Sequence, residues 1–322
     1  MYFHLKSRIK TKLELIKYPL KNSKFFAPLL VVIAAALWAV DGIVLRPSLY
    51  SLPVPLVVLI ESSIVAVLLT PFFINKFASL KSLKKKDWLA FFGVALLGGA
   101  IGTMAITKAL FYVNFVNLSV VILLQKLQPV FAISLATIFL KEKLPKEFFL
   151  WAALAIVGAY FMTFGLSAPN FSTGDKTTIA ALFALLAAFS FSSSTVLSKR
   201  ALRNVDYEMG TYLRFLFASI IMLIISATTG DIYSVANVTP KQIIIFLIIA
   251  FTTGGAAIFL YYYGLKRISA SVASICELAF PLTAVVLEYV VHGNILSAVQ
   301  WIGAAVLLIS ILKVSGLKTK VW

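Results

Sequence analysis

The sequence predicts an all-α membrane protein, ten transmembrane helices arranged as two inverted five-helix repeats. Three observations lead there. Of 322 residues, 61% are hydrophobic and 13% charged, with a mean hydropathy of +0.98; soluble domains hold roughly 45–50% and about 25%. So much apolar surface has no arrangement compatible with water, which excludes a soluble globule, a disordered chain and a collagen-like fibre. The apolar residues also gather into ten long runs, and the chain repeats itself at an offset of 152 residues.

A helix needs about 20 apolar residues to cross the hydrocarbon layer. The runs are Phe25–Leu45, Val54–Ile74, Trp88–Thr107, Asn117–Leu140, Glu147–Leu166, Thr177–Leu197, Tyr207–Thr228, Lys241–Tyr263, Ser269–Val291 and Ala298–Leu312. They are too long and unbroken for the ten-residue strands of a barrel. The first is interrupted only by Asp41 and the second by Glu61; the third carries Gly98, Gly99 and Gly102, read as packing positions. Lys126 and Pro129 lie in the fourth, and Ser190, Ser193 and Ser194 share a face of the sixth. Arg214 lies in the seventh. The eighth has Gly254 and Gly255 and ends in Tyr261–Tyr263 beside Lys266 and Arg267, the pattern of an interfacial aromatic belt. The ninth holds Glu277, Pro281 and Glu288.

Ahead of the first run, residues 1–24 contain seven Lys/Arg, with Leu5, Ile9, Leu13 and Ile16 near helical spacing. This segment reads either as an amphipathic stretch on the cytoplasmic membrane surface or as a basic tail. A signal peptide is rejected, because the apolar run continues past Ala34–Ala36 to Leu45. The organisation is therefore a basic segment 1–24, a first repeat 25–166, a second repeat 177–314 and a cytoplasmic tail 315–322.

A net charge of +17 raises nucleic acid as a partner, but the charges sit in short clusters between apolar runs. With the N-terminus inside, 23 Lys/Arg fall in cytoplasmic segments and four (Arg46, Lys108, Lys176, Lys241) outside. That split predicts both termini in the cytoplasm. The partners expected are a small-molecule metabolite and the lipid bilayer, with no nucleic acid; a homodimer is compatible with the sequence.

At the 152-residue offset Pro129 falls on Pro281, Gly102 on Gly254, and Ser119-Val120 on Ser271-Val272, with no gap. Because each half has an odd number of spans, the second starts on the opposite side from the first. Inverted halves let a carrier open alternately to either side.

The stretch Asn117–Pro129 followed by Leu140-Lys-Glu-Lys-Leu144 resembles the fourth helix of an EamA-type repeat in the drug/metabolite transporter superfamily. Tyr261–Ala270 and Ser271–Pro281 resemble its second-half counterpart, and Ala36-Leu-Trp-Ala39 and Tyr212-Leu-Arg-Phe215 fit as well. The resemblance covers roughly residues 25–314. It departs at two places: Leu59-Ile-Glu-Ser62 stands where an Arg is usual, and Gly293-Asn294 where a Gly-Glu pair is usual. It implies a ten-helix carrier of small metabolites, often an exporter of amino acids, with a central cavity and no shared cofactor. A prokaryotic plasma membrane is the expected location.

Charges inside spans are costly and are functional candidates. Lys126 and Glu277 approach the bilayer midplane by their depth in spans four and nine, and the offset sets Gln125 on Glu277. Pro129 cannot donate to the carbonyl of Gln125, nor Pro281 to that of Glu277. A freed carbonyl beside a polar side chain in both halves matches the broken-helix sites of inverted-repeat carriers; the alternative is prolines that only kink for packing. The predicted substrate site is Trp38, Asp41, Gln125, Lys126, Gln128, Ser193 and Glu277, with Lys126 as the partner of Glu277. Glu61 and Arg214, nearly repeat-related, are expected to form a structural ion pair.

A cation and carboxylates beside Trp38 suit an amino acid or related zwitterion, moved by a secondary carrier, with a carboxylate available for proton coupling; the exporting direction is what the family resemblance implies. Alternatives are a nucleotide-sugar or phosphate-ester carrier, a quaternary-amine carrier, or a structural or lipid-scrambling protein. No catalytic residues are assigned: there is no His-Glu metal motif, no two-Asp protease pair and no Walker loop. One cysteine, Cys276, and two histidines leave no disulfide and no metal cluster.

Overall fold

The computed structural model describes residues 25–73, 80–81, 83–112, 119–168, 176–293 and 296–317. The basic segment 1–24 and most of the tail lie outside the described residues. Ten helices among the described residues are long and apolar enough to cross a membrane: Phe26–Leu49, Val54–Phe73, Lys85–Ala109, Val121–Phe139, Lys146–Phe164, Thr178–Ala201, Tyr207–Thr229, Pro240–Arg267, Ala270–Leu287 and Ala298–Gly316. They are called spans 1 to 10. The ten predicted runs are all found.

The helix starts follow local chemistry where it is readable. Span 8 begins at Thr239, whose hydroxyl accepts from Gln242 N while the Gln242 carboxamide accepts from Thr239 N, with Pro240 at the first helical position. Span 10 uses Ser297 and Gln300 in the same way.

The packing repeats the internal symmetry. Spans 2 and 7, 5 and 10, and 4 and 9 pack against each other, and each pair maps onto itself when the halves are exchanged. Spans 1 and 8 pack as spans 6 and 3 do, and spans 1 and 9 as spans 6 and 4 do. The bundle is thus built on a pseudo-twofold relation between its halves. Where spans 5 and 10 cross, a Cβ on Gly158 would lie 2.8 Å from Leu307 N, and one on Gly303 only 2.4 Å from Met162 N. Backbones approach this closely only over glycine, the usual means of helix association in lipid. A buried cluster including Val31, Phe148, Tyr262, Cys276 and Leu307 joins the two halves. Large apolar side chains such as Phe72, Leu150, Ile244 and Trp301 stay exposed, as lipid-facing positions require.

Five spans are irregular within their length, among them span 8, whose helix is interrupted between Phe251 and Gly255. Span 1 changes to a π-helix at Asp41–Leu45, and span 3 does so at Ala95–Ile101. Span 4 breaks between Gln125 and Gln128, and span 9 between Cys276 and Ala279. The broken helices fall at the predicted prolines. The freed carbonyl is not found at Glu277, however, because its oxygen accepts from Phe280 N at 2.9 Å in a tighter turn. In span 4 the outside donor goes to a different carbonyl: Ser192 Oγ of span 6 donates to Gln128 O at 2.7 Å.

Candidate functional site

A cavity of about 70 Å³ lies where the irregular spans meet. Span 1 contributes Trp38, span 3 Gly98, span 4 Gln128, span 7 Arg214 and span 9 Glu277. Span 6 supplies Phe191, Ser194, Thr195 and Ser198, and span 8 supplies Ile258 and Tyr261. Both halves therefore build it.

Glu277 is the most connected group. Its Oε1 accepts from Tyr261 Oη at 2.6 Å and from Thr195 Oγ1 at 3.3 Å, and its Oε2 accepts from Gln128 Nε2 at 3.0 Å. Three donors from three spans fix one carboxylate, which is how a buried charge is made tolerable. Tyr261 and Thr195 belong to the same half as Glu277, and Gln128 reaches it from the other. Tyr261 also tilts against Trp38, with ring centroids 5.2 Å apart, so an aromatic wall adjoins the carboxylate.

The cation of the cavity is Arg214. Its guanidinium lies 5.8 Å from the Tyr262 ring centroid, its Nη1 donates to Tyr262 Oη at 3.4 Å, and Tyr262 Oη is 3.0 Å from Ser198 Oγ. Gly98, in the π-helical turn, leaves room for this arrangement. A Cβ there would sit 2.4 Å from Ser194 Oγ and 3.7 Å from Arg214 Nη2.

Among the predicted site residues, Trp38, Gln128 and Glu277 line the cavity, and the others do not. Gln125 donates across to Ala184 O at 2.8 Å, tying spans 4 and 6. Ser193 donates to its own helix at Phe189 O, while its neighbours Ser194 and Thr195 face the cavity. Lys126 is 8% exposed, and its ammonium has no hydrogen bond or ion pair among the described residues. Its expected partner Glu277 is held by neutral donors instead. Across the broken turn Gln125 meets span 6 while Gln128 meets Glu277.

The expected pair of Glu61 with Arg214 is also corrected. Spans 2 and 7 do pack together, but the partner of Glu61 is Arg46, whose Nη2 is 3.3 Å from Glu61 Oε1. Arg46 donates as well to Asp41 Oδ2, from Nε at 2.7 Å and Nη2 at 2.5 Å, and Thr253 Oγ1 donates to Asp41 Oδ1 at 3.3 Å. Residues five apart diverge on an α-helix. The π-turn, in which Arg46 N bonds to Asp41 O, brings these two onto one face. Asp41 thus belongs to a charge cluster at the end of span 1, not to the cavity.

Arg214, Tyr261, Thr195 and Gly98 were missed as cavity residues. Tyr261 reads as an interfacial aromatic because it stands next to Lys266 and Arg267, yet it is 3% exposed. The available signal was its place in span 8, where the cavity-facing Ile258 lies one turn earlier.

The EamA-like transporter family matches this chain twice, over residues 25–164 and 178–316. Over 290 residues the chain is 47% identical to the riboflavin transporter ImpX of Fusobacterium nucleatum, covering 90% of this chain and 97% of that protein. It is 25% identical over 240 residues to an uncharacterized transporter, sll1164, of Synechocystis, with 71% of this chain and 66% of the relative covered. A similar match, 26% over 195 residues, is to the uncharacterized transporter YwfM of Bacillus subtilis, with 60% and 62% covered. A solved crystal structure superposes with a TM-score of 0.71 at 18% identity, spanning 91% of this chain and 97% of the other, and shows the shared fold. With both five-helix halves matched, this chain belongs to the EamA-like transporter family.

Proposed function

We propose that this protein is a riboflavin carrier working by alternating access. The observation that carries the reading is the 47% identity, over 97% of its length, to a transporter named for riboflavin. The cavity supports it chemically. Riboflavin has a flat fused ring, a pyrimidinedione edge that both donates and accepts hydrogen bonds, and a hydroxylated side chain. Trp38, Tyr261 and Phe191 offer aromatic surface for the ring. Gln128, Glu277 and Arg214 offer an amide, an acceptor and a donor for the polar edge and hydroxyls.

At about 70 Å³ the cavity is contracted; sites for ligands of this size run to about 300–1,000 Å³. Loading therefore requires the halves to part, as inverted repeats permit. We place the carrier in a prokaryotic plasma membrane with both termini cytoplasmic, following the Lys/Arg split.

A zwitterion is the second reading, favoured by one observation: Glu277 and Arg214 carry opposite charges in the same cavity. Purified protein in proteoliposomes separates the two. Riboflavin flux in either direction, followed by its fluorescence and undiminished by excess amino acids, is the expected result. Amino-acid flux without riboflavin flux would overturn the flavin reading in favour of the second one.

A further inference from the structure

We propose that Glu61 binds a proton, and that this proton opens the carrier at its outer end. The site is the charge cluster at the end of span 1. Arg46 turns most of its donors to Asp41: Nε and Nη2 both reach Asp41 Oδ2, while Glu61 Oε2 receives one long bond from Nη2 at 3.4 Å. Glu61 Oε1 is buried and accepts no hydrogen bond, although Arg46 Nη2 lies 3.3 Å from it. One guanidinium thus faces two carboxylates, and Asp41, 7% exposed, has the better hold on it. With both acids ionised the cluster keeps one uncompensated negative charge inside the membrane, which is costly. A proton on the unoccupied oxygen of Glu61 removes it.

The position of the cluster gives that proton an effect. Arg46 lies three residues before the end of span 1, and Glu61 seven past the start of span 2. At 1.5 Å per residue both are within about 10 Å of the end that the Lys/Arg split places outside. Asp41 is three residues past the cavity residue Trp38. The outer part of span 1 is therefore tied to span 2 through Arg46 and Glu61, and to span 8 of the other half through Thr253, which is 3% exposed and donates to Asp41 Oδ1. Gln242 adds a second tie from span 8, donating to Ser48 O at 3.1 Å. Protonation removes the charge that holds Arg46 to span 2 and leaves the guanidinium to Asp41. Span 1 is then free to part from span 2 and uncover the cavity.

The corresponding corner of the second half has no such site. At the 152-residue offset Asp41, Arg46 and Glu61 fall on Ser193, Ser198 and Leu213, none of them an acid or a base. Ser193 donates within its own helix, Ser198 Oγ is 3.0 Å from Tyr262 Oη, and Leu213 is 1% exposed in an apolar cluster. Inverted halves exchange conformations during transport, so the proton acts on one of the two openings. Among the described residues the charged groups that face Glu61 are Arg46 and Asp41. On the elements around it, Lys108 lies over Phe183, Arg214 over Tyr262, Asp231 accepts from Thr229, and Lys241 is exposed at the start of span 8. In span 9, Glu288 is eight residues past Phe280, the nearest neighbour of an added Cβ on Gly42.

This inference rests on the carrier reading but not on the substrate, and its test uses none. A reporter Ile258→Cys in the cavity, on a Cys276→Ser background, is labelled with a membrane-impermeant maleimide from the Arg46 end and, in vesicles of reverse orientation, from the opposite end. The ratio of the two rates at each pH cancels the thiol's own titration. It is expected to rise about tenfold as pH falls through the carboxylate range, the shift given by losing one hydrogen bond to a charged group. Glu61→Gln, neutral at every pH, should hold the ratio high and flat, and Glu288→Gln should respond as the reporter protein does. A flat ratio in the reporter protein overturns the proposal, as does a response that survives in folded Glu61→Gln protein or disappears in Glu288→Gln. A merely structural ion pair would lower the melting temperature of Glu61→Gln and leave the ratio unmoved by pH. If Glu61→Gln does not fold, Glu61→Asp decides: withdrawing the acid from Arg46 should displace the midpoint of the response, and an unmoved midpoint overturns the proposal. Absence of riboflavin flux leaves the labelling result standing and counts only against the flavin reading.

Discussion

Replacing Glu277 by glutamine tests the site most directly. The carboxylate receives three hydrogen bonds, from Tyr261, Thr195 and Gln128. A glutamine keeps the size and one acceptor but turns the other terminal atom into a donor. If its NH2 faces Gln128, two donors meet; if it faces Tyr261 and Thr195, the 2.6 Å bond is lost. Either way at least one bond to a charged acceptor disappears, along with the charge that polarises a substrate donor. Such a bond contributes about 1.5–3 kcal/mol, equivalent to roughly a 10- to 150-fold rise in Kd. Riboflavin fluorescence quenching on purified protein reads the Kd, and proteoliposome flux at matched reconstitution reads transport. Glu288→Gln, eleven residues further along the chain, serves as the comparison and should leave both unchanged. A Glu277→Gln protein that binds and carries riboflavin like the wild type would refute the reasoning and make Glu277 a packing residue.

Three further outcomes are expected. Arg46→Gln leaves Asp41 and Glu61 facing each other without their shared cation and should cost about 3 kcal/mol of stability, while Arg46→Gln with Glu61→Gln should be milder; thermal unfolding in detergent distinguishes coupled from additive losses. Lys126→Met removes a buried ammonium with no partner among the described residues, so the melting temperature should rise with riboflavin flux retained, and lost flux would return Lys126 to the site. Gly303→Val places methyl groups where Met162 N already lies 2.4 Å from an added Cβ, so the folded yield by size exclusion should fall sharply, with no such loss for Gly42→Ala, where an added Cβ meets nothing nearer than 4.0 Å.

Much of the fold was legible because it depends on quantities that survive averaging over many residues. Span length and a gapless 152-residue offset each pool dozens of positions. The offset also anticipates which spans pack, since the contacts between spans obey the exchange of halves. The candidate site depends on single rotations, and these are not pooled. A break of two residues in span 4 puts Gln128 in the cavity and takes Lys126 away from Glu277. A π-turn in span 1 brings Arg46 onto Asp41, a pairing that α-helical spacing does not suggest.

The misplaced charges share one physical cause. Sequence symmetry constrains where backbones run, but a charge in a membrane goes wherever its partners can be assembled. Glu61 needed a cation and found it in Arg46 at the end of a neighbouring span, which released Arg214 from a structural role. Arg214 in turn has no ion pair among the described residues and is held by Tyr262 beside the cavity. Glu277, satisfied by neutral donors, likewise needs no fixed cation. The cavity therefore contains an acid and a base that are each supported but not spent on one another. That is the condition under which a ligand with hydrogen-bonding edges can engage both, and it is why symmetry-breaking residues, not the repeated ones, carry the proposed chemistry of this carrier.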